Sequence, residues 1–415
     1  EYKRDDQFIT QNFDFEWRGY SYGVQPDVNH YKAAKAVTIA GCDIYHPNQD
    51  ELTGAEIAFG GDMTRCLKND NYLVIETEAQ GFPCWTPYKG QLRLCAYSHL
   101  ASGANSVMYW HWHSIHNSYE TYWKGLLSHD FKENATYREA CIIGNEWKEV
   151  GSHLINLKKK NDVAVMVSNE ALTALNWFGI QATSGENGNV FYNDIVRWIY
   201  DELYHMNIEC DFVWPESENL DDYKVIVVPA LYAAPDETLE RLKDYVKNGG
   251  SLVATFKSGF ADENIKVRTE TQPGVIGEAL GISYDQFTFP KNVKLEGMIL
   301  EGDENEEAEV FMELLRAEKA TVLANYQHDM WGEYCAITEN TYGKGMGYYI
   351  GCKTGAKVLQ NVLKRVLNQA QVEIPKEQFP VIVRKGINEM GKEIRYYLNY
   401  SGKAVEVELG LDGMD

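Results

Sequence analysis

The alternation of strand-like and helix-like segments over residues 1–155 is the feature that most restricts the fold. Short apolar runs alternate with longer stretches that have helical spacing of apolar residues. Such alternation indicates βαβ units and a parallel sheet. The segments after the strands are long and rich in aromatic residues, whereas those after the helices are short, as on the two faces of a (β/α)8 barrel. Four strands cannot close a barrel, so the pattern predicts an α/β fold that is either a small open sheet or the last part of a TIM-type barrel.

The elements predicted within residues 1–155 are four strands, each followed by a helix. The strands are predicted at residues 7–13, 37–45, 72–76 and 106–112, and the helices at 28–36, 54–67, 91–101 and 134–156.

Glu76 stands out because four apolar or aromatic residues, 72–75, lead directly into it. Such a run is typical of a strand buried on both faces. Glu76 would then lie at the carboxyl end of a parallel strand, where barrel enzymes place their catalytic groups. A charged residue that only marks the end of a strand is the alternative. Glu78 is a rival carboxylate, but we expect the strand to turn before it.

Composition excludes several partners. Acidic residues outnumber basic ones 61 to 39, for a formal charge of −22, which repels nucleic acids and anionic membrane surfaces. We therefore expect no nucleic acid and no membrane partner. No apolar run approaches the length of a membrane span, and no basic-then-apolar leader opens the chain. The eight cysteines are scattered without a C-x-x-C pair, which favours free thiols in a reducing compartment and predicts a cytoplasmic protein.

A second α/β unit is predicted at residues 158–375, after a polar linker. Its strand and helix patterns indicate an open, flavodoxin-like or amidotransferase-like sheet. The turn where an amidotransferase carries its nucleophilic cysteine reads Thr255-Phe-Lys-Ser258, without an elbow motif. No dinucleotide fingerprint or P-loop is present, so we expect no cofactor and no catalysis here.

The last segment, residues 376–415, shows three alternating patterns, at 379–384, 392–399 and 404–409. Tight turns between them predict a meander of three strands. Because three strands are too few for an independent sandwich, this segment is expected to be part of a small β domain.

Several of these segments resemble one known family in their order and spacing. They are Gln11-Asn-Phe13, Asp43-Ile-Tyr45, Leu73-Val-Ile-Glu76, the helix that runs from Arg93 to Ala104, and Val107-Met-Tyr-Trp-His-Trp112. Together they resemble the family-42 glycoside hydrolases, the β-galactosidases. The resemblance implies that Glu76 is the nucleophile that ends the barrel's seventh strand. It also implies a homotrimer built by residues 158–375. Trp177-Phe178, placed in a long loop, could reach a neighbour's cleft, or Trp177 could pack under its own loop.

The family's acid/base glutamate belongs to an Asn-Glu pair after the fourth barrel strand. This sequence matches the family from just before the fifth strand. Its Asn-Glu pairs follow no predicted barrel strand; they are 145–146, 169–170, 305–306 and 388–389. The resemblance therefore implies that the acid/base comes from an N-terminal half-barrel outside residues 1–415.

The same resemblance implies a set of substrate-binding residues. Tyr119 and Glu120 match an aromatic residue and a glutamate that bind the sugar hydroxyls, and Trp123 stands where the family has a histidine. Trp85 matches a cleft tryptophan whose ring stacks on the sugar. Tyr45 is placed to donate a hydrogen bond to the nucleophile. The alternatives are a solvated loop for Glu120 and a core or interface position for Trp85.

His111 and His113 alternate with tryptophans along one strand, so their imidazoles share a face. A zinc site needs a third and a fourth ligand, and the sequence offers no candidate for them. We therefore predict no metal.

The function predicted by the resemblance is that of a retaining β-galactosidase. It would hydrolyse terminal β-D-galactosyl residues of oligosaccharides by double displacement. The alternatives are a non-catalytic carbohydrate-binding or assembly subunit, and a glycosidase of related specificity such as an α-L-arabinopyranosidase.

Overall fold

The first part of the chain forms a small parallel sheet flanked by helices. The structure, a computed structural model, describes residues 3–15, 22–81, 85–181, 189–301 and 305–409. Strands and helices alternate in the predicted order: β1 (Asn12–Asp14), α1 (His30–Ala33), β2 (Gly41–Asp43), α2 (Ala55–Lys68), β3 (Tyr72–Glu78), α3 (Gln91–Ala101), β4 (Ala104–Trp110) and α4 (Ala135–Leu154). The strands pair in chain order, all in parallel. The prediction of an α/β fold is confirmed.

Strand β3 differs from its prediction in two ways. It continues through Glu78, which pairs with Trp110 of β4, so the expected turn before Glu78 is wrong: β4 is long enough to pair with it. Burial also alternates, since Tyr72 and Val74 are buried whereas the residues after each are half-buried. The register against β2 slips by one residue just before Glu76, and such bulges re-aim side chains at functional sites.

The second part of the chain is a larger α/β unit. Its elements are β5 (Val163–Met166), α5 (Asn169–Trp177), β6 (Ile180–Gln181), β7 (Asn189–Val190), α6 (Tyr192–His205), β8 (Cys210–Val213), β9 (Val225–Val228), α7 (Asp236–Asn248), β10 (Ser251–Thr255), α8 (Gly277–Leu280), β11 (Ile282–Ser283), β12 (Phe287–Thr288), β13 (Lys294–Glu296), β14 (Glu309–Glu313), β15 (Arg316–Ala317), β16 (Thr321–Gln327), β17 (Cys335–Tyr342), β18 (Gly345–Ile350), β19 (Cys352–Lys353) and α9 (Ala356–Gln369).

The main sheet of this unit has the order β13-β16-β17-β18-β10-β9-β5-β8. Its strands from β8 to β18 run parallel, in a flavodoxin-like order. The strands β5, β9 and β10 are fully buried, as their continuous apolar runs predict. The antiparallel extension through β17, β16 and β13 was not fully predicted. Mixed polar sequences such as that of β17 give no clear strand period.

One helix was missed at the start of this unit. Helix α5 begins after Ser168, whose side chain accepts a hydrogen bond from the amide of Ala171 at 3.1 Å. Trp177 therefore ends a helix and does not lie in a long loop as expected. It is 80% exposed, and the neighbouring Phe178 is 61% exposed.

The chain continues into a β-hairpin of β20 (Val381–Ile387) and β21 (Glu393–Asn399). The prediction of a third strand at 404–409 is wrong. These residues form no strand and are mostly exposed. Among the strands of the described structure, β20 and β21 pair only with each other, so no neighbouring strand covers the apolar side chains of 404–409.

A buried polar network joins the hairpin to both α/β units. Asp62 of α2 accepts hydrogen bonds from Arg65 at 2.9 Å, from Arg384 of the hairpin at 2.5 Å and from Tyr200 of α6 at 2.9 Å. Burial would raise the pKa of Asp62, but the two guanidinium groups outweigh it and lower the pKa. Among the described residues, no helix is long and apolar enough to cross a membrane.

Candidate active site

The carboxylate of Glu76 is held at both oxygens near the carboxyl end of β3. The hydroxyl of Tyr45 donates to Oε1 at 3.1 Å, and the Nδ2 of Asn12 donates to Oε2 at 2.9 Å. Glu76 is only partly buried. Two hydrogen bonds from different strand ends therefore fix the orientation of a carboxylate that solvent or a ligand can still reach.

Asn12 was not predicted as a site residue. It begins β1 and pairs with Gly41 of β2, which pairs in turn with Leu73 of β3, so its side chain reaches towards the carboxyl end of the sheet to bond Glu76. The signal was available in the sequence, because Gln11-Asn-Phe13 was one of the segments that carried the family resemblance. Because Asn12 begins its strand, the rule that catalytic groups lie at the carboxyl ends of barrel strands does not by itself predict this contact.

Tyr45 lies where the sequence predicted, next to the nucleophile candidate. Burial, followed by the negative charges of Glu76 and Asp43, raises the pKa of the Tyr45 phenol far above its usual value. The phenol therefore remains a hydrogen-bond donor. The ring of Trp123 packs edge-on against that of Tyr45, with centroids 5.0 Å apart at 70°, so Trp123 is also brought to the site.

Glu78, the rival carboxylate, has a different environment. It is 4% exposed, and its Oε1 lies 3.0 Å from the Nδ2 of Asn48 and 3.2 Å from the Nδ1 of His46. Burial alone would lower the pKa of His46, but the adjacent Glu78 outweighs it and raises the pKa to about 10. Glu78 is buried beside His46, whereas Glu76 is partly exposed, so Glu76 is the more accessible acid of the two.

The loop after β4 carries the other predicted sugar contacts. Its base is fixed by backbone hydrogen bonds from residues 126 and 127 to residues 111 and 112. Glu120 is partly buried, and its carbonyl accepts from the amide of Trp123 at 2.9 Å. Tyr119 is 85% exposed. In the described structure no hydrogen bond or ring contact joins Tyr119 or Glu120 to Glu76, Asn12 or Tyr45.

Trp85 follows β3 on the opposite loop. Its side chain is partly buried, and its carbonyl accepts from the Nζ of Lys124 at 2.5 Å. The same ammonium reaches Thr86 at 2.7 Å, so it ties the loop after β3 to the loop after β4. Within the described ranges no ring contact joins Trp85 to Tyr45 or Trp123. Residues 82–84, which precede Trp85 in the sequence Phe82-Pro-Cys-Trp85, lie outside the described ranges.

His111 and His113 form part of a row of rings. Their centroids are 5.4 Å apart, and His113 also packs edge-on against Phe131 at 5.0 Å. Burial, followed by the neighbouring His113, lowers the pKa of His111, which Glu120 partly opposes. In the part of the chain that the structure describes, no group of three or more His, Cys, Asp or Glu side chains could hold a metal ion.

The glutamates of the Asn-Glu pairs all lie outside the ends of β1–β4. Glu146 is in α4 and pairs with Arg93 at 2.8 Å, and Glu170 is in the first turn of α5 and pairs with Lys32 at 3.0 Å. Glu306 accepts from the amide of Gly355, and Glu389 accepts from Asn156 at 2.9 Å. Each one therefore has a structural partner away from Glu76.

Comparison with known families assigns both α/β units. The family model described as the β-galactosidase trimerisation domain of glycoside hydrolase family 42 matches residues 161–373, about half of the chain, and the family's β-galactosidase model matches residues 2–150. The chain belongs to the family-42 β-galactosidases. The resemblance drawn from the sequence motifs is thus confirmed.

Individual members of family 42 show how much of the fold is shared. The β-galactosidase BgaB of Geobacillus sp. is 30% identical over 363 residues, which cover 83% of this chain and 53% of that protein. The crystal structure of a β-galactosidase from Bacillus circulans sp. alkalophilus has a TM-score of 0.80 at 25% identity and covers 90% of this chain and 56% of that one. For a β-galactosidase from Rahnella sp. R3 the TM-score is 0.83 at 22% identity, over 95% and 58%. The chain thus spans about half the length of the curated relatives it matches.

Proposed function

We propose that this chain supplies the nucleophile half of a retaining β-galactosidase barrel, with Glu76 as the nucleophile. The observation that carries the proposal is the Glu76 carboxylate, which Asn12 and Tyr45 hold in a fixed orientation while it remains partly exposed. Family membership adds the reaction class.

In the proposed mechanism, one oxygen of Glu76 attacks the anomeric carbon of a terminal β-D-galactosyl residue. The glycosidic C–O bond breaks, and the leaving oxygen takes a proton from an acid/base glutamate. Water then attacks the galactosyl ester, returns its proton to the acid/base and releases galactose with retained configuration. Retaining enzymes hold the two carboxyl groups about 5–5.5 Å apart.

We propose that the acid/base comes from an N-terminal half-barrel that completes the sheet. The open edges of the first sheet support this proposal: within the described ranges, β1 and β4 each pair on one side only. Met108 and Trp110 of β4 are 48% and 37% exposed, and Phe8 beside β1 is 57% exposed. Parallel sheets are normally covered at both faces, so further strand–helix units at these edges would bury this apolar surface.

The substrate-binding roles are proposals of the same kind. Tyr45 contacts the nucleophile and Trp123 packs against Tyr45, whereas Trp85, Tyr119 and Glu120 lie in the loops after β3 and β4. We propose that a bound galactoside draws these loops together, with Glu120 accepting from sugar hydroxyls and Trp85 stacking on the ring. The tryptophan at position 123 favours a related specificity, such as arabinopyranosides, as the second candidate.

The domain limits are part of the proposal. We place the half-barrel at 1–157, the trimerisation unit at 158–375 and part of a C-terminal β domain at 376–415. The exposed Trp177 and Phe178 at the end of α5 support a homotrimer, in which a neighbouring copy would cover them.

The experiment compares the 415-residue chain with an extended protein, defined as this chain joined to the polypeptide encoded directly upstream in the same reading frame. We expect that frame to encode an Asn-Glu pair at the end of a buried strand. The extended protein should hydrolyse nitrophenyl β-galactoside, and the chain alone should not, because the acid/base that assists departure of the leaving group and activates the attacking water is missing. Robust turnover by the chain alone would contradict the missing acid/base. Sugar binding without turnover by the extended protein would favour a non-catalytic subunit.

A further inference from the structure

Lys257 occupies a strained turn directly after β10, at the carboxyl end of the main parallel sheet. Its φ is +65°, a left-handed conformation that is strained for a residue other than glycine. Such strain persists where surrounding contacts impose it, and it clusters at functional sites. Doubly wound sheets bind ligands at the carboxyl ends of their strands.

The turn is imposed by a buried carboxylate. Glu313 of β14 is fully buried; its Oε1 accepts from the amide of Lys257 at 2.9 Å and its Oε2 from the hydroxyl of Tyr349 at 2.7 Å. The backbone of Lys257 is thereby fixed, and so is the direction in which its side chain leaves the sheet.

The ammonium of Lys257 lies within a ring of phenylalanines. Its Nζ is 3.5 Å from the ring centroid of Phe260, 3.8 Å from that of Phe287 and 4.6 Å from that of Phe311. The residue is only 5% exposed, yet among the described residues its Nζ makes no hydrogen bond and no ion pair. Three aromatic faces surround the cation, and the Glu313 carboxylate adds an attraction without a direct hydrogen bond to the Nζ. Phe287 is 47% exposed, so the wall of this cage is also the protein surface.

Near pH 8 a larger fraction of the Lys257 side chain is the neutral, nucleophilic amine than in an exposed lysine, because the side chain is desolvated. Burial lowers the pKa of Lys257 to about 8, although Glu313 opposes the shift. Desolvated lysines of this kind serve as nucleophiles towards carbonyl compounds.

We propose that Lys257 is a reactive amine that captures small aldehydes as a protonated Schiff base. The nitrogen lone pair attacks the carbonyl carbon and forms the C–N bond, and the carbonyl oxygen takes one proton from the attacking nitrogen and one from solvent and leaves as water. The product, R–CH=NH⁺–Lys, carries the same single positive charge as the ammonium that it replaces. The three rings can therefore hold it as they hold the ammonium, whereas an anionic carbamate or a neutral amide would lose the cation–π attraction. This selects aldehydes over carbon dioxide and acyl donors.

The test uses the whole 415-residue chain with glycolaldehyde and cyanoborohydride, followed by peptide mass spectrometry over a series of pH values. We expect Lys257 to be alkylated at least about tenfold faster at pH 8 than the exposed Lys376. The matched control is Lys159, which is also buried with a pKa lowered to about 8, first by burial. Lys159, however, pairs with Glu209 and donates to the carbonyl of Ala101 at 3.0 Å, so it should remain unmodified.

Equal labelling of Lys257 and Lys159, or no excess at Lys257 over Lys376, would overturn the proposal. Phe287→Leu keeps an apolar wall but removes one ring face that stabilises the ammonium, so it should raise the rate at Lys257 near pH 8 without changing that at Lys376. The readout is peptide mass in the folded wild-type chain, so a variant that fails to fold does not decide the result. Because it needs no galactosidase activity, failure here is distinguishable from failure of the proposed function.

Discussion

The hydroxyl of Tyr45 donates a 3.1 Å hydrogen bond to Oε1 of Glu76. Tyr45 lies just beyond the end of β2 and Glu76 near the end of β3, so the bond joins neighbouring strand ends. Asn12 completes the arrangement from β1 at 2.9 Å on the other oxygen. The nucleophile candidate is thus oriented by the two strands that precede it in the sheet.

Tyr45→Phe should lower kcat of the extended protein while leaving its fold intact. A hydrogen bond to a charged group contributes about 1.5–3 kcal/mol, so we expect a loss of about 10- to 100-fold. The measurement is steady-state hydrolysis of nitrophenyl β-galactoside, with the thermal unfolding midpoint as the control for folding. An unchanged kcat would show that the contact does not orient the nucleophile.

Asn12→Leu removes the donor to Oε2 and keeps a similar side-chain volume. We expect kcat to fall by about 10-fold or more. The matched control is Gln11→Leu, because Gln11 is the neighbouring amide and, among the described residues, its side chain bonds only the carbonyl of Asn12. Equal losses from the two substitutions would argue for a general disturbance of β1.

The pair of His46 and Glu78 should make the fold less stable at alkaline pH. The pKa of His46 is raised from its usual 6.5 to about 10, so its contribution is complete below about 6.5 and is lost as the pH rises through about 10. Burial also raises the pKa of Glu78. Because the folded state again binds the proton more tightly than the unfolded state, this shift also lowers the unfolding free energy as the pH rises.

Glu78→Gln removes the charge that keeps the proton on His46. The unfolding midpoint of this variant should therefore fall less between pH 6.5 and pH 10 than that of the wild type. Thermal unfolding across this range is the measurement. Parallel pH profiles for the two proteins would contradict the assignment of a charged His46.

Arg384→Met should destabilise the junction between the hairpin and the two α/β units. Asp62 would remain buried with one cation fewer, which costs about 3–5 kcal/mol of unfolding free energy. Urea denaturation measures the change. Lys376→Met is the control, because its ion pair with Glu408 is exposed at both ends and should contribute nothing measurable. A loss no larger than that of the control would show that the network does not hold the hairpin.

The elements that were predicted correctly are those whose local sequence pattern reflects their burial in the folded protein. Helix α3 was predicted with its observed ends, and strands β9 and β10 to within a residue or two, because continuous burial leaves an unbroken apolar pattern. The third strand at 404–409 was wrong because an alternating pattern cannot show whether a partner edge is present. Helix α5 was missed because it is short and follows a strand without a long apolar stripe.

The site was predicted only in part, for a physical reason. Glu76 and Tyr45 end strands, and parallel strand ends meet at one edge of a sheet, so their contact followed from the pattern. Burial of Glu78 against His46 depends on β3 extending beyond Glu76, which its pairing with β4 decides. The strain at Lys257 depends on Glu313, fifty-six residues further along the chain, and no local pattern carries that information.

Covalent trapping tests the central claim most directly. A dinitrophenyl 2-fluoro-galactoside needs no proton donor for its leaving group, so the extended protein should form a stable galactosyl ester that peptide mass spectrometry can locate. We predict that the label falls on Glu76 and that Glu76→Gln abolishes it. A label on Glu78 or Glu120, or one that survives the substitution of Glu76, would contradict the assignment of Glu76 as the nucleophile.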